Sequence, residues 1–115
     1  SWSMMVYNVT CSVAIKVEKK WIEWVDIQLD KISKSENISA ASILKLNSNT
    51  PNEGAVYALQ YQISDHNTLQ NFLENEDQTL KEKIEQTFGE AILHFSSQLE
   101  IIKEYPWNSL SLKKN

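Results

Sequence analysis

The sequence contains few of the residues on which common cofactor and metal sites depend. Its only two glycines are Gly54 and Gly89, so a glycine-rich phosphate loop and the nucleotide-binding fingerprints are excluded. The two histidines and the one cysteine are far apart and show no metal-binding spacing such as CxxC or HExxH. We therefore expect no metal site and no bound cofactor.

Long hydrophobic runs, basic clusters and paired cysteines are also missing. No stretch of 18 apolar residues and no charged leader before an apolar run occurs, so we expect neither a membrane span nor a signal peptide. The formal net charge is -4 and no run of five or more basic residues is present, so nucleic acid is not expected as a partner. The single Cys11 excludes an intramolecular disulfide, which favours the reducing cytoplasm.

The 115 residues, 42% of them hydrophobic, predict one domain over residues 1–115 with a modest core. Pairing with a second copy would bury more surface, so a homodimer is expected. Residues 1–3 precede two methionines and are interpreted as a remnant of cloning or processing. Residues 103–115 lack periodicity and are predicted to form a C-terminal tail, in which Pro106-Trp107 would dock on the domain or on a neighbouring subunit.

Hydrophobic periodicity predicts six elements in the order strand, helix, strand, strand, helix, strand. Alternation predicts strands at about residues 4–13, 42–48, 55–64 and 90–102. Three- and four-residue spacings predict one helix over about residues 16–32. A second helix is predicted to follow the cap Asp65, to be kinked or split near residue 76 and to stop at Gly89, with residues 74–77 as a solvated junction. This order predicts an α+β, ferredoxin-like βαββαβ fold, with a four-stranded antiparallel sheet and both helices on one face.

The first, third and fourth predicted strands each have an apolar row and a more polar row, whereas the second has mixed polarity on both faces, which is typical of an edge strand. We expect the apolar rows to pack against the helices, with Cys11, Trp21 and Trp24 in the core and the hydroxyls of Tyr57 and Tyr61 at its rim. The opposite face is then predicted to hold eight uncharged polar side chains, those of Asn8, Thr10, Ser12, Gln60, Gln62, His94, Ser96 and Gln98. A sheet face in water usually carries Lys, Glu and Thr, so a face without charge is more often covered.

Covering this face with a second subunit predicts a dimeric α+β barrel with a polar interior able to hold a small molecule. The candidate ligand-binding residues are Asn8, Thr10, Gln60, Gln62, His94 and Ser96. An ordinary hydrated dimer interface without a ligand is the simpler interpretation of the same residues.

Two other functions compete with the ligand-holding dimer. A cofactor-independent enzyme of the monooxygenase or isomerase type would use His94 as a base and Asn8 or Gln60 to position the substrate. No acidic residue is predicted beside His94 to orient it, so a hydrogen-bonded interface histidine is the more frequent role. A protein-interaction module would instead capture a partner by strand addition at the predicted edge strand near residues 43–46.

Short segments along the chain show a family resemblance, namely Tyr7-Asn8-Val9, Trp21-Ile22-Glu23-Trp24, Leu59-Gln60-Tyr61, and Phe88-Gly89 followed by Phe95 and Leu99-Glu100. Together they are similar to a family of bacterial proteins of about 100 residues that is known only as a domain of unknown function. The resemblance implies a ferredoxin-like, dimeric protein with no established activity. Relatives often have His-Ile-Pro after the first helix, where this chain has Leu29-Asp30-Lys31, and an arginine at the position of Ser96. More distantly, the chain resembles the dimeric barrels of the antibiotic-biosynthesis monooxygenases, which act on small ligands without a metal or flavin.

Overall fold

The structure is a computed structural model, and it describes residues 4–48 and 53–106. One four-stranded sheet contains β1 (Met5–Val13), β2 (Ala40–Lys45), β3 (Ala55–Ile63) and β4 (Ile92–Glu100). The strand order is β2-β3-β1-β4, and every neighbouring pair is antiparallel. The helices are α1 (Glu18–Ile32), α2 (His66–Phe72) and α3 (Gln78–Phe88), with a π-helical segment, Leu73–Asp77, between the last two. The predicted ferredoxin-like α+β fold is confirmed.

The strand boundaries differ from the predicted ones mainly at β2 and β4. β2 begins two residues earlier and ends three residues earlier than the alternation predicted. The chain approaches β4 through a 3-10 turn at Gly89–Ala91, so this strand starts two residues later than predicted. The described residues do not include residues 1–3, residues 49–52 between β2 and β3, or Trp107, whose docking was predicted.

The hydrophobic core lies between the helices and one face of the sheet. Its fully buried side chains include Val9, Cys11, Leu59, Tyr61, Trp21, Val25, Leu69, Phe72 and Ile84. Aromatic contacts connect the two layers, because the Tyr61 ring packs on Phe72 with centroids 4.7 Å apart and Trp21 packs on Tyr57 at 5.1 Å. Trp24 is half-buried against the same core. The predicted core roles of Cys11, Trp21 and Trp24 are confirmed.

Local signals in the sequence set the ends of the helices. The Asp65 carboxylate accepts a hydrogen bond from the Thr68 backbone N–H at 2.8 Å, so Asp65 caps α2 as predicted. Gly89 follows α3 with a φ of 55°, a conformation that favours glycine, as its predicted role as a helix stop requires. Gly54 has a different requirement, since a Cβ atom there would lie 2.3 Å from the backbone oxygen of Val13.

The irregularity predicted near residue 76 takes the form of the π-helical segment. Along this region the fully buried positions are Leu69, Phe72, Asp77, Leu80 and Ile84. The step of five residues from Phe72 to Asp77 accommodates the extra residue of a π-helical turn and directs Asp77 toward the sheet. Asp77 is only 4% exposed, so the prediction that this residue belongs to a solvated junction is wrong.

Candidate functional site

The open face of the sheet is the face opposite the helices, and the strand register defines its residues. Residues directly opposite each other on antiparallel strands share a face. Asn8 lies opposite Gln60 of β3, Thr10 lies opposite Ala58, and Gln62 continues the same row. The predicted placement of Asn8, Thr10, Gln60 and Gln62 on the open face is therefore correct.

His94 and Ser96 lie on the helix-facing side of the sheet, so their predicted placement on the open face is wrong. His94 is opposite Cys11 and Ser96 is opposite Val9, both of which are core residues. The prediction assumed that the apolar row of every strand faces the helices. β4 is an edge strand, and only Ile92 in its helix-facing row is buried, so the remainder of that row did not need to be apolar. Gln98, opposite Tyr7, is misplaced in the same way.

Because His94, Ser96 and Gln98 face the helices, the alternate, apolar row of β4 lies on the open face, at one side of it. Leu93, Phe95 and Leu99 are 65%, 64% and 48% exposed. At the opposite side of the same face, Leu44 and Leu46 are 44% and 61% exposed. We call these two groups the apolar flanks. Phe95 therefore adds an aromatic ring to the open face.

The polar centre of the open face, between the apolar flanks, consists of Asn8, Thr10, Gln60 and Gln62. The Asn8 side-chain amide donates to Thr10 Oγ1 at 2.9 Å, and Gln60 Nε2 donates to Asn8 Oδ1 at 3.3 Å. Asn8 is 9% exposed, although it lies on the face opposite the described helices. These bonds hold the Asn8 amide in one orientation, with Gln60 and Gln62 beside it as adaptable donors and acceptors.

A second polar cluster lies on the helix-facing side and joins β1, the end of the π-helical segment, α3 and β4. The Tyr7 hydroxyl donates to Asp77 Oδ2 at 2.9 Å. Lys81 Nζ donates to the Tyr7 hydroxyl at 2.8 Å and to Ser96 Oγ at 2.7 Å, and it lies 3.0 Å from Asp77 Oδ2. We call these four side chains the Tyr7–Asp77–Lys81–Ser96 network.

Burial and hydrogen bonding determine the protonation of this network. Burial raises the pKa of Tyr7 despite opposing hydrogen bonds from Lys81 and Ser96. Burial would lower the pKa of Lys81, but its hydrogen bonds to Tyr7 and Asp77 outweigh that effect and raise it. Burial also raises the pKa of the nearby Cys11 to about 11. At neutral pH the structure therefore offers a phenol, an ammonium group and a thiol, none of which is an activated nucleophile.

The two core tyrosines of β3 differ in how their hydroxyls are placed. The Tyr57 hydroxyl donates to Glu18 Oε2 at 2.7 Å at the predicted rim. The Tyr61 hydroxyl is buried and has no hydrogen-bond partner among the described residues, so its predicted rim position is wrong. Burial, with the charge of Asp77 adding to it, raises the pKa of Tyr61.

Two classes of site have no support among residues 4–48 and 53–106. These residues contain no group of three or more His, Cys, Asp or Glu side chains that could hold a metal ion. Over the same ranges, no helix combines the length and the apolar character needed to cross a membrane.

The sequence interpretation missed the polar network because its members occupy positions that looked apolar or solvated. Tyr7 belongs to the apolar row of β1, and Asp77 was grouped with the acidic run before it. One signal was available, since Asp77 follows Leu73 by four residues and precedes Leu80 by three. That spacing places a carboxylate on the apolar face of a continuous helix.

Solved structures with low sequence identity share this fold. The chain is similar to a dimeric ferredoxin-like protein from an uncultured marine organism, with 13% identity, a TM-score of 0.56 and coverage of 91% of this chain and 100% of that chain. It is also similar to a conserved protein of unknown function from Bacteroides thetaiotaomicron VPI-5482, with 17% identity, a TM-score of 0.65 and coverage of 86% and 98%. A monooxygenase candidate from Shewanella loihica PV-4 is similar at 10% identity, with a TM-score of 0.52 and coverage of 90% and 99%. No curated protein matches the sequence.

The family resemblance seen in the sequence is confirmed by a match to a family model. Residues 4–102 match the family described as a domain of unknown function, DUF4286. The match includes the described strands β1 to β4 and helices α1 to α3. The chain therefore belongs to the DUF4286 family.

Proposed function

We propose that this protein is a homodimer in which the open faces of two sheets meet and hold a small polar or amphipathic molecule between them. The observation that supports this proposal is the composition of the open face, where a polar centre lies between two exposed apolar flanks. An apolar border can exclude water, and a polar centre can orient a ligand.

The apolar flanks support a second copy of the chain as the cover. Single exposed hydrophobic side chains are common, but a contiguous exposed row is typical of an interaction surface. Leu93 and Phe95 are alternate residues of one strand, so their Cα atoms are about 7 Å apart on the same face. A two-fold axis would allow the β4 flank of one subunit to meet the β2 flank of its partner. The similar protein from a marine organism is itself described as dimeric.

The polar centre supports a ligand between the subunits. Covering Gln60 and Gln62 with a partner removes water from two amides, each of which needs donors and acceptors. A small molecule with hydroxyl, carbonyl or amide groups would satisfy them, while Asn8 and Thr10 hold Gln60 in place. His94 and Ser96 take no part in this proposed site, because they lie on the other side of the sheet.

The proposed setting is the cytoplasm, with no nucleic acid or membrane as partner. The single cysteine, Cys11, is fully buried as a free thiol, which fits a reducing compartment. The net charge of -4 opposes binding to the phosphate backbone of nucleic acids.

Native mass spectrometry of the untreated purified protein tests this proposal directly. We expect a dimer with additional mass that is lost on denaturation. A dimer without additional mass would reject the ligand and leave the hydrated interface. A monomer without additional mass would reject the proposal and favour strand addition at β2, which is an edge strand of the sheet.

A further inference from the structure

The Tyr7–Asp77–Lys81–Ser96 network contains a buried ion pair, which adds little to the stability of a core of this size. Asp77 is 4% exposed, and its Oδ1 atom is buried without a hydrogen-bond partner among the described residues. A buried ion pair usually adds less stability than apolar side chains of similar volume, and an unpaired buried oxygen reduces stability further. Folding alone therefore gives little reason for a carboxylate at this position.

The π-helical segment that ends at Asp77 is a second unusual feature at the same place. An interruption of this kind is rare in proteins and occurs frequently at functional sites. Here it turns the Asp77 carboxylate onto the Tyr7 hydroxyl and places Lys81, one turn later, beside the same oxygen atom. A buried ion pair and a rare irregularity of the backbone thus occur together in one cluster of side chains.

The network is closed at its Asp77 end and open at its β4 end. Asp77 is buried behind Tyr7, whereas the Lys81 side chain is 25% exposed and Ser96 is exposed on the edge strand. His94 and Gln98 lie on the same row of β4, on either side of Ser96, and are also exposed. The positive end of the ion pair therefore faces outward, beside a strand row that carries a hydroxyl, an imidazole and an amide, each able to donate hydrogen bonds.

The Lys81 ammonium group makes the Ser96 hydroxyl, at the open end of the network, a stronger hydrogen-bond donor. Its ammonium group has three hydrogens, and three acceptors surround it, namely Tyr7, Asp77 and Ser96. Ser96 Oγ accepts one of these charge-assisted bonds, which polarises the serine hydroxyl toward donating its own hydrogen. Such a donor, next to a positive charge, suits an electron-rich oxygen atom.

We propose that the outer end of this network is a binding site for the carboxylate of a small organic acid, with the Ser96 hydroxyl as its hydrogen-bond donor and the positive charge of Lys81 behind that hydroxyl. Asp77 and Tyr7 act as positioning residues, because they hold Lys81 against Ser96. The site lies within one protomer, on the opposite side of the sheet from the proposed dimer interface.

Titration with sodium benzoate tests this site, and benzyl alcohol serves as the matched probe without a carboxylate. We expect saturable changes in the amide NMR signals of Lys81 and Ser96 with benzoate and none with benzyl alcohol. Lys81→Met keeps the unbranched side chain up to the position of Cε and removes the charged Nζ, and it should raise the Kd for benzoate by about tenfold or more. Lys83→Met, at an exposed position of α3, is the control and should leave the Kd unchanged.

Lys81→Met leaves Asp77 as an unpaired buried charge, which lowers the stability of the fold. A second variant therefore keeps the test valid if Lys81→Met does not fold. Asp77→Asn/Lys81→Met removes both charges together and should fold, yet it should bind benzoate as weakly as Lys81→Met. Equal affinity in this double variant and the original protein, or no saturable change in the original protein, would overturn the proposal and leave a purely structural ion pair.

The failure of this site is distinguishable from failure of the dimer. Benzoate binding within one protomer should survive in Phe95→Lys, a variant in which only the open face is changed. Loss of benzoate binding in Phe95→Lys would place the benzoate site at the subunit interface and overturn this inference.

Discussion

Cys11 is fully buried, and burial raises the pKa of its thiol to about 11. At pH 8 only about one thiol in a thousand would be ionised, which makes the folded protein a poor substrate for thiol reagents. We expect negligible labelling by a thiol-specific disulfide reagent in the native protein and complete labelling in guanidinium chloride. Rapid labelling of the native protein at pH 8 would show that Cys11 is accessible and more acidic than its burial indicates.

The raised pKa of Cys11 also predicts a loss of stability at alkaline pH. The folded state favours the protonated thiol, so this contribution is fully present below the ordinary pKa of 9.0 and is lost as the pH rises toward about 11. The pKa values of Tyr7 and Tyr61 are raised in the same direction. The free energy of unfolding, measured with urea between pH 8 and 10.5, should therefore fall steadily. Cys11→Ala should make this decline shallower by about 2 kcal/mol in total, and an identical slope would contradict the assignment.

Gly54 is required by space, because the start of β3 passes close to the end of β1. A Cβ atom at this position would lie 2.3 Å from the Val13 backbone oxygen, so one strand must move away from the other. We expect Gly54→Ala to lower the free energy of unfolding by about 1–3 kcal/mol in a urea titration. Glu53→Ala, at the preceding exposed residue, is the control and should stay within about 0.5 kcal/mol of the original protein.

At the scale of elements, β4 shows what its sequence could and could not determine. The alternation of its side chains was predicted correctly, but alternation alone does not say which row faces the helices. In β1 and β3 the apolar row must face the helices, because one row of each strand is buried in the core. In β4 only Ile92 is buried, so the strand register decides the face, and the register depends on pairing with β1.

The second helical region shows a different limit of the sequence. The cap at Asp65 and the stop at Gly89 are local signals, and both were predicted. Asp77 was misplaced because a carboxylate is normally found in water, and only its contact with Tyr7, seventy residues earlier, makes its burial tolerable. The spacing of Asp77 from Leu73 and Leu80 indicated a carboxylate on the apolar face, but a long-range partner such as Tyr7 leaves no periodic signal in the sequence. The polar centre could be predicted because it alternates along strands, whereas the pairing of Asp77 with Tyr7 could not.

The π-helical segment predicts that the chain tolerates a deletion at this place. Removing exposed Asn75 shortens the step from Phe72 to Asp77 to four residues, which is the spacing of one face of a regular α-helix. We expect this deletion to remove the π-helical turn, keep both side chains toward the core and lower the free energy of unfolding by about 1 kcal/mol or less. Asn75→Ala, which keeps the extra residue, is the control and should have an effect of similar size. A loss of about 3 kcal/mol or more in the deletion variant alone, measured in urea titrations, would show that packing depends on the π-helical turn.

At the scale of the whole molecule, the two faces of the sheet have separate proposed roles. The open face combines a polar centre with apolar flanks and is assigned to dimerisation and ligand binding. The helix-facing side carries the core and, at its β4 end, the Tyr7–Asp77–Lys81–Ser96 network. Each face can therefore be altered by a substitution that leaves the other unchanged.

Phe95 is the residue through which the dimer is most directly tested, because it is a large apolar side chain on the open face and is 64% exposed in one protomer. Phe95→Lys places a charge in the proposed interface, where two-fold symmetry would introduce it twice. We expect light scattering coupled to size-exclusion chromatography to show at least a tenfold weaker dimer, with the thermal stability of the protomer little changed.

Ile27→Lys is the matched control, since Ile27 is 56% exposed on α1, away from the open face, and this variant should remain dimeric. If both variants have the same mass as the original protein, the open face is not the interface. If both become monomeric, the helices take part in assembly and the two-sheet arrangement is wrong.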